Sequence, residues 1–160
     1  MQRHTWVYSL TTPLSDSAAA KLQHDLDLIA ESWKSHGKPL KGMIEIKYQR
    51  FVITRALPEF GLPSGCSIDS LRHALDETFA RNGLSWFDPS EVFFKDSEGN
   101  LAHADFRALP GLIAQGTVHA NTVVFDHTMN QTDDLNLWER PLHQTWLKRY
   151  LPSDVTAIPS

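Results

Sequence analysis

The feature that most constrains the fold of this chain is an amphipathic helix pattern that follows a short β-rich segment. Its apolar residues recur every three or four positions: Leu22, Leu26, Ile29 and Trp33. This spacing places them on one helix face. Ser15 supplies an N-cap, and His36–Gly37 supply a C-terminal signal. The pattern predicts a helix over about residues 16–36.

Further β-rich and helical segments surround this helix. Residues 4–10 predict a strand, and residues 42–57 predict a hairpin that turns near Tyr48–Gln49, with one long bent strand as the alternative. A second helix is expected to begin after an N-cap at Ser67 and to end at Asn82–Gly83.

The second half of the chain carries weaker signals. It predicts strands over residues 92–96 and 122–129, and a short helix over about 103–109 that is broken by Pro110–Gly111. A last helix is expected from Thr132, with a continuation from Pro141 that carries apolar residues at helical spacing: Leu142, Trp146 and Tyr150.

The element order indicates an α+β fold with a mixed sheet and helices packed on it. The order is βαββαβ followed by an αβα extension, and the first six elements match a ferredoxin-like split βαβ unit. A chain of 160 residues has the size of one domain and shows no repeat or linker. We therefore predict a single domain over residues 1–152 and a flexible tail over 153–160.

Charge and composition disfavour several function classes. Fifteen basic against 19 acidic side chains give a net charge of −4, which disfavours binding to nucleic acid or to anionic membranes. The sequence has no apolar run of about 18 residues and no signal-peptide core at its start. Its single cysteine excludes an internal disulfide. We expect a cytoplasmic protein without nucleic-acid or membrane partners.

Cys66 lies in the hexapeptide SGCSID at the predicted start of the second helix. A helix N-terminus stabilises a thiolate, and Arg72 completes the C-x5-R spacing of cysteine phosphatases. Asp69 opposes that interpretation, because it would place a negative charge beside a phosphoryl dianion. A small buried cysteine is the favoured interpretation. A reactive or redox-sensing thiol assisted by Asp69, Arg72 or Arg55 is left open as the alternative.

Two further regions are candidates for binding. The start of the second helix could hold an anion through Ser64, Gly65, Cys66, Ser67 and Asp69. Trp138 and Trp146 could rim a groove for a partner, although tryptophans at such spacing are more often core residues. In the predicted hairpin, Glu45, Lys47 and Arg55 alternate with apolar residues and suggest a polar sheet face.

The histidines do not form a metal motif. None of the eight belongs to an H-E-x-x-H pattern or an H-x(3–5)-H pair, so we expect no metal ion. A site that the fold assembles from Asp126–His127, His103 and Asp105 is left open. The chain also lacks a G-x-S-x-G elbow, a P-loop and a G-x-G-x-x-G fingerprint, so we expect no cofactor.

Six short motifs occur in a distinctive order along the chain: W-x-Y at Trp6–Tyr8, W-x-x-H-G at Trp33–Gly37, Y-x-R-F at Tyr48–Phe51, SGCSID at Ser64–Asp69, TVVFD at Thr122–Asp126 and W-E-x-P-L-x-x-x-W-x-x-R at Trp138–Arg149. With them the chain resembles, over about residues 5–151, a family of small uncharacterised bacterial proteins of the Bacteroidetes type.

The resemblance implies a shared fold and a cytosolic location, but no established activity. Members often carry the label "ABC transporter ATPase". This chain has no P-loop, so we give that label little weight. In that family SGCSID recurs while an arginine in the place of Arg72 does not, which weakens the phosphatase interpretation. The chain departs from the pattern at Leu147, where a histidine is usual, and this puts a catalytic role of that site in doubt.

Two hypotheses about function follow. The leading one is a non-catalytic module that binds an unknown protein or small-molecule partner. The competing one is an enzyme or a redox-responsive protein centred on Cys66.

Overall fold

A computed structural model of the chain describes residues 5–35, 38–39, 42–56, 65–128 and 137–153. Contacts divide the chain into two compact units. Unit 1 covers residues 1–87 and 131–133, and unit 2 covers residues 88–130 and 134–160. The single domain over residues 1–152 stays a prediction, and the expected tail after Ser153 lies outside the described residues.

Both units contain helices and antiparallel sheets. In chain order, the elements of unit 1 are β1 (Thr5–Ser9), α1 (Asp16–Ser32), β2 (Lys34–Ser35), β3 (Lys38–Pro39), β4 (Gly42–Lys47), β5 (Phe51–Ala56) and α2 (Gly65–Arg81). Those of unit 2 that lie wholly within the described residues are β6 (Glu91–Lys95), β7 (Leu101–Asp105), α3 (Leu109–Ala114), β8 (Val123–Phe125), β9 (Glu139–Pro141) and the 3-10 helices Phe106–Ala108, Leu142–Gln144 and Trp146–Tyr150. The predicted α+β class is confirmed.

The main sheet of unit 1 has the strand arrangement of a split βαβ unit. Its order is β1–β5–β4, and β5 is antiparallel to both neighbours. β1 and β4 are therefore parallel to each other with β5 between them. An antiparallel bridge from Leu10 to Trp86 places the segment after α2 beside the end of β1, where the fourth strand of a ferredoxin-like sheet would lie.

Two details of the predicted sheet are wrong. Every strand pair in the described residues is antiparallel, so the sheets there are not mixed. The segment expected to supply the fourth strand, residues 92–96, belongs instead to the sheet of unit 2, where β6 pairs with β7 and β8. The order of elements along a chain does not fix their pairing partners, which tertiary packing selects.

Helix α1 begins as predicted and ends earlier. The Ser15 hydroxyl accepts a hydrogen bond from the backbone N–H of Ala18 at 3.1 Å. The helix stops at Ser32, because Trp33 adopts an extended conformation with ψ 134° and the next two residues form β2. The Trp33 side chain, 5% exposed, then packs into the core of unit 1.

The core of unit 1 lies between the two long helices and one face of the sheet. Its buried apolar residues include Leu22 and Leu26 from α1, Val52 from β5, and Leu75 and Phe79 from α2. The spacing that predicted the apolar face of α1 therefore identified two residues, Leu22 and Leu26, that are fully buried.

The predicted hairpin between β4 and β5 is confirmed. Its turn places Tyr48 at φ 57° and Gln49 at φ 52°, and the N–H of Arg50 donates to the carbonyl of Lys47 at 3.1 Å. Two successive left-handed residues match the twist of a tight hairpin, although neither is the glycine or asparagine that usually adopts this conformation.

Unit 2 contains a four-stranded sheet of order β7–β6–β8–β9. One face packs against the helical segments around Leu109, Leu142, Leu147 and Leu151. The predicted helix over 103–109 is wrong in its first half, because Leu101–Asp105 is a strand paired with β6. Pro110 and Gly111 lie inside the first turn of α3, where proline is well tolerated.

The predicted C-terminal helix is also wrong in the described residues. Residues 131–136 lie outside them, Glu139–Pro141 is a strand, and the continuation is a pair of 3-10 helices. Among the helices that the structure describes, none has the length and apolar character needed to cross a membrane.

Candidate functional site

The start of helix α2 carries the residues on which the sequence hypotheses centred. The helix begins at Gly65, two residues before the predicted cap Ser67, so Cys66 lies in the first turn. The Cys66 side chain is exposed, and the expectation of a buried cysteine is therefore wrong. Ser67 is 3% exposed, and its carbonyl accepts a hydrogen bond from the buried indole N–H of Trp33 at 2.8 Å. Ser64 lies outside the described residues.

The proposed assistants do not converge on Cys66. One continuous helix runs from Cys66 to Arg72, and six residues at about 100° each turn the two side chains well away from one another. A phosphatase loop cannot form over a segment that is already helical. Asp69 is exposed on the same helix. Arg55 lies on β5 and points away from the sheet face that packs against α2, since its neighbour Ala56 belongs to that core.

The sheet face that carries Arg55 is not simply a polar surface. Cross-strand pairing places Glu45 opposite Ile53 and Lys47 opposite Phe51, so all five side chains share one face. Ile53 and Phe51 are both fully buried. The predicted polar face therefore contains buried apolar residues between its charges.

In unit 2, the buried carboxylate of Asp126 forms an ion pair with the partly exposed Arg140. The Asp126 side chain is 3% exposed and accepts a hydrogen bond from a guanidinium N–H of Arg140 at 2.7 Å. The backbone N–H of Thr128 donates to the other carboxylate oxygen at 2.9 Å, and the Thr128 hydroxyl donates to the same atom. Both carboxylate oxygens of Asp126 therefore have partners within unit 2, and these contacts give the side chain a structural role.

His127, next along the chain, is a neutral ring held by an indole. The Nε1–H of Trp138 donates to His127 Nδ1 at 3.0 Å. An indole nitrogen is only a donor, so Nδ1 carries no proton and Nε2 carries it. Burial lowers the pKa of His127 to about 4, and the charge of Asp126 opposes this only in part. The lone pair that a metal ion would need at Nδ1 is already used.

The remaining members of the suspected metal cluster have other partners. His103 Nδ1 lies 2.7 Å from a carboxylate oxygen of Glu91. Asp105 accepts two hydrogen bonds from the side chain of Arg107, both at 2.8 Å. Within the described ranges, no group of three or more His, Cys, Asp or Glu side chains is placed to hold a metal ion.

The two C-terminal tryptophans have different environments. Trp138 is 1% exposed and packs against the Phe125 ring, with 4.9 Å between centroids. It is a core residue, so its predicted place on the rim of a partner-binding groove is wrong. Trp146 is 39% exposed and remains a candidate for partner binding.

Trp146 is the centre of a partly exposed cluster of aromatic and cationic side chains. Its ring meets the rings of Phe106 and Tyr150 edge to face, at 6.2 Å in each case. The Arg107 guanidinium lies 5.7 Å from the Phe106 centroid, and the Arg149 guanidinium lies 5.8 Å from the Tyr150 centroid. We call these five residues the Trp146 surface.

The 3-10 helix Trp146–Tyr150 explains why Trp146 points outward. The Thr145 hydroxyl caps it by accepting a hydrogen bond from the N–H of Leu147 at 3.2 Å. Leu147 is 2% exposed and fills the core of unit 2. A 3-10 helix has three residues per turn, so Trp146 and Arg149 lie on the same side, away from Leu147.

Unit 2 also has a cleft of about 350 Å³ between the β6–β7 turn and the α3–β8 loop. Lys95, at its edge, is ion-paired with Glu139 at 2.5 Å. His119 Nδ1 accepts a hydrogen bond from the N–H of Asn121 at 3.1 Å. These contacts already use the charge of Lys95 and one nitrogen of His119, and none of the described residues that line the cleft is a Phe, Tyr or Trp that could hold a ligand ring.

No protein-family model, no curated protein and no solved structure matches this chain. The resemblance to the bacterial family therefore stays a prediction, and function has to be argued from the side chains.

Sequence reasoning missed four of the five residues of the Trp146 surface. A signal was present in the sequence: an aromatic residue stands directly beside an arginine at Phe106–Arg107 and again at Arg149–Tyr150. They are more than 40 positions apart, and only the packing of unit 2 brings both against Trp146.

Proposed function

We propose that this protein is a binding module that docks a partner protein through the Trp146 surface. The observation that carries the proposal is a 39% exposed tryptophan held by two aromatic rings, each of which has an arginine beside it. Tryptophan, tyrosine and arginine are the residues most enriched at the energetic centres of protein interfaces.

The 3-10 helix that carries Trp146 is anchored in the core of unit 2 before any partner binds. Leu142, Leu147 and Leu151 anchor the two C-terminal 3-10 helices in the core of unit 2, and Thr145 caps the second of them. Ordering flexible side chains is a large cost of association. A tryptophan that is already fixed by its neighbours avoids much of that cost.

The competing hypothesis of a cysteine-centred activity has weaker support. Cys66 is exposed, which a reactive thiol needs. Asp69 and Arg72 are exposed on the same helix, however, and Arg55 lies on a strand face turned away from that helix. A cytoplasmic location remains part of our proposal, supported by the single cysteine.

The experiment is a selection of random short peptides displayed on phage. The full chain and a Trp146→Ala variant are used as parallel targets, and Trp86→Ala is the control because Trp86 in unit 1 is similarly exposed, at 37%. We expect peptides that bind the unchanged protein and the control. Binding to Trp146→Ala should weaken about 30-fold or more, as for truncation of an interface anchor.

Thermal unfolding of the variants separates a lost anchor from a lost fold. Trp146→Ala should keep a cooperative transition, because its neighbour Leu147 and not Trp146 fills the core. Recovery of no peptide that depends on Trp146 would refute the proposed function.

A further inference from the structure

The charges around the Trp146 surface are unevenly compensated. Asp105 binds the Arg107 guanidinium at two atoms, both at 2.8 Å, and this contact holds the pKa of the Asp105 carboxyl far below its usual range. The carboxylate of Asp88 also acts on Arg107. Lys148 and Arg149 form no ion pair with any residue that the structure describes. The uncompensated positive charge therefore lies at the Tyr150 end.

The placement of Arg149 suits a carboxylate ligand. Its guanidinium lies against the face of the Tyr150 ring, at 5.8 Å from the centroid. A stacked guanidinium keeps its N–H groups in the plane of the fork, where they can donate two parallel hydrogen bonds to a carboxylate. The 3-10 geometry sets this fork on the same side of the helix as Trp146.

We infer that the segment which docks on the Trp146 surface is an acidic peptide segment of another protein, with a carboxylate on Arg149 and an apolar side chain against Trp146. This inference rests on the proposed function, because it assigns the chemistry of the partner at that surface. Charge complementarity carries it: the chain as a whole has a net charge of −4, yet Lys148 and Arg149 follow the exposed indole on the same 3-10 helix and have no ion-pair partner among the described residues. Such pairing steers association and selects the partner.

The same geometry disfavours single-stranded nucleic acid. Bases stack on the open faces of aromatic side chains, whereas the rings of Phe106 and Tyr150 each pack edge to face with Trp146. Asp105 and Asp88 would also repel a phosphate backbone at the Arg107 end.

The test uses the peptides that depend on Trp146. We expect them to be rich in Asp and Glu beside an apolar residue. Arg149→Glu should weaken binding of a synthetic peptide from this set by about ten-fold or more, because it replaces an attractive pair by a repulsive one. Arg72→Glu is the matched control: it makes the same charge change on an exposed position of α2 in unit 1 and should leave the affinity unchanged. A peptide with its Glu residues changed to Lys should regain affinity for Arg149→Glu.

Each other outcome overturns a defined part of the reasoning. Peptides that depend on Trp146 but carry no acidic residues would overturn the acidic partner and leave the proposed function standing. An unchanged affinity of Arg149→Glu would do the same. Oligothymidylate that competes with the peptide and binds through Arg149 would assign the surface to nucleic acid. Dimerisation that Trp146→Ala abolishes, measured by light scattering, would make a second copy of this chain the partner.

Discussion

The ion pair between Asp126 and Arg140 offers the sharpest test of the structure of unit 2. Asp126→Asn keeps the size of the side chain and an oxygen that can accept the two hydrogen bonds from Thr128. It removes the charge that faces Arg140 at 2.7 Å. The Nε of Arg140 is buried and has no hydrogen-bond partner in the described residues, so the guanidinium loses its main compensation.

The expected loss of stability follows from the burial of the two groups. Removing one partner of a fully buried ion pair costs about 3–5 kcal/mol, because the other charge is left unpaired. The Asp126 side chain is 3% exposed, but that of Arg140 is 24% exposed, so water screens part of the unpaired charge. We therefore expect a reduction of about 2–3 kcal/mol in the free energy of unfolding.

Urea unfolding followed by circular dichroism measures this loss. The single variant Arg140→Met and the double variant complete a double-mutant cycle. In the Arg140→Met background, Asp126→Asn should reduce the free energy of unfolding by at least about 1 kcal/mol less than it does in the unchanged protein. Glu77→Gln, which removes an ion pair with His73 at a side chain 59% exposed, should have almost no effect. A loss for Asp126→Asn below about 0.5 kcal/mol, or an unchanged loss beside Arg140→Met, would refute the reasoning.

Three further measurements test other parts of the structure. Gly42→Ala should destabilise unit 1 by about 1–3 kcal/mol in urea unfolding, because a Cβ there lies 3.0 Å from the buried Trp33 ring; Gly111→Ala, whose Cβ meets nothing within 4 Å, should not. Cys66 should react fully with a thiol reagent without urea, since its side chain is exposed, and labelling that needs denaturant would contradict that position. The pKa of His127 is lowered from 6.5 to about 4 in the folded protein. As the pH falls, the unfolded chain therefore protonates this histidine before the folded protein does. Stability should therefore fall by at most about 3 kcal/mol from pH 6.5 to pH 4, and His127→Gln should abolish this part of the pH dependence.

The elements that local signals define were predicted well. Helix α1 has a serine cap and a clear apolar face, and both appear in the structure. The end of α2 at Arg81, followed by Gly83 with φ 67°, and the hairpin turn at Tyr48–Gln49 are likewise local features. Such signals act within one turn of chain, so they do not depend on how distant segments pack.

The errors occur where distant pairing overrides local preference. Leu101–Asp105 reads LAHAD, a composition that favours a helix, yet pairing with β6 makes it a strand. Glu139–Pro141 is a strand because β8 offers it hydrogen bonds. Strand propensity depends strongly on the neighbouring strand, and no pattern within either segment reveals that neighbour.

The two C-terminal tryptophans show the same limit for the candidate site. In sequence Trp138 and Trp146 are equivalent candidates, eight positions apart. Trp138 immediately precedes β9, and its buried indole donates to His127. Trp146 begins a 3-10 helix whose inward position goes to Leu147. An α-helical pattern would have placed Trp146 on the same face as Leu142, so the 3-10 geometry is what leaves Trp146 exposed.

The contacts of the candidate residues in unit 2 favour a binding function over a catalytic one. In unit 2 the polar candidates already bind one another: Asp126 binds Arg140, and His127 accepts from an indole. Activating any of them for catalysis would first require breaking a contact that stabilises the fold. Trp146, in contrast, exposes apolar surface in the native state and gains by covering it. Covering Trp146 with a partner would therefore release free energy, and the proposed binding function rests on that exposed side chain.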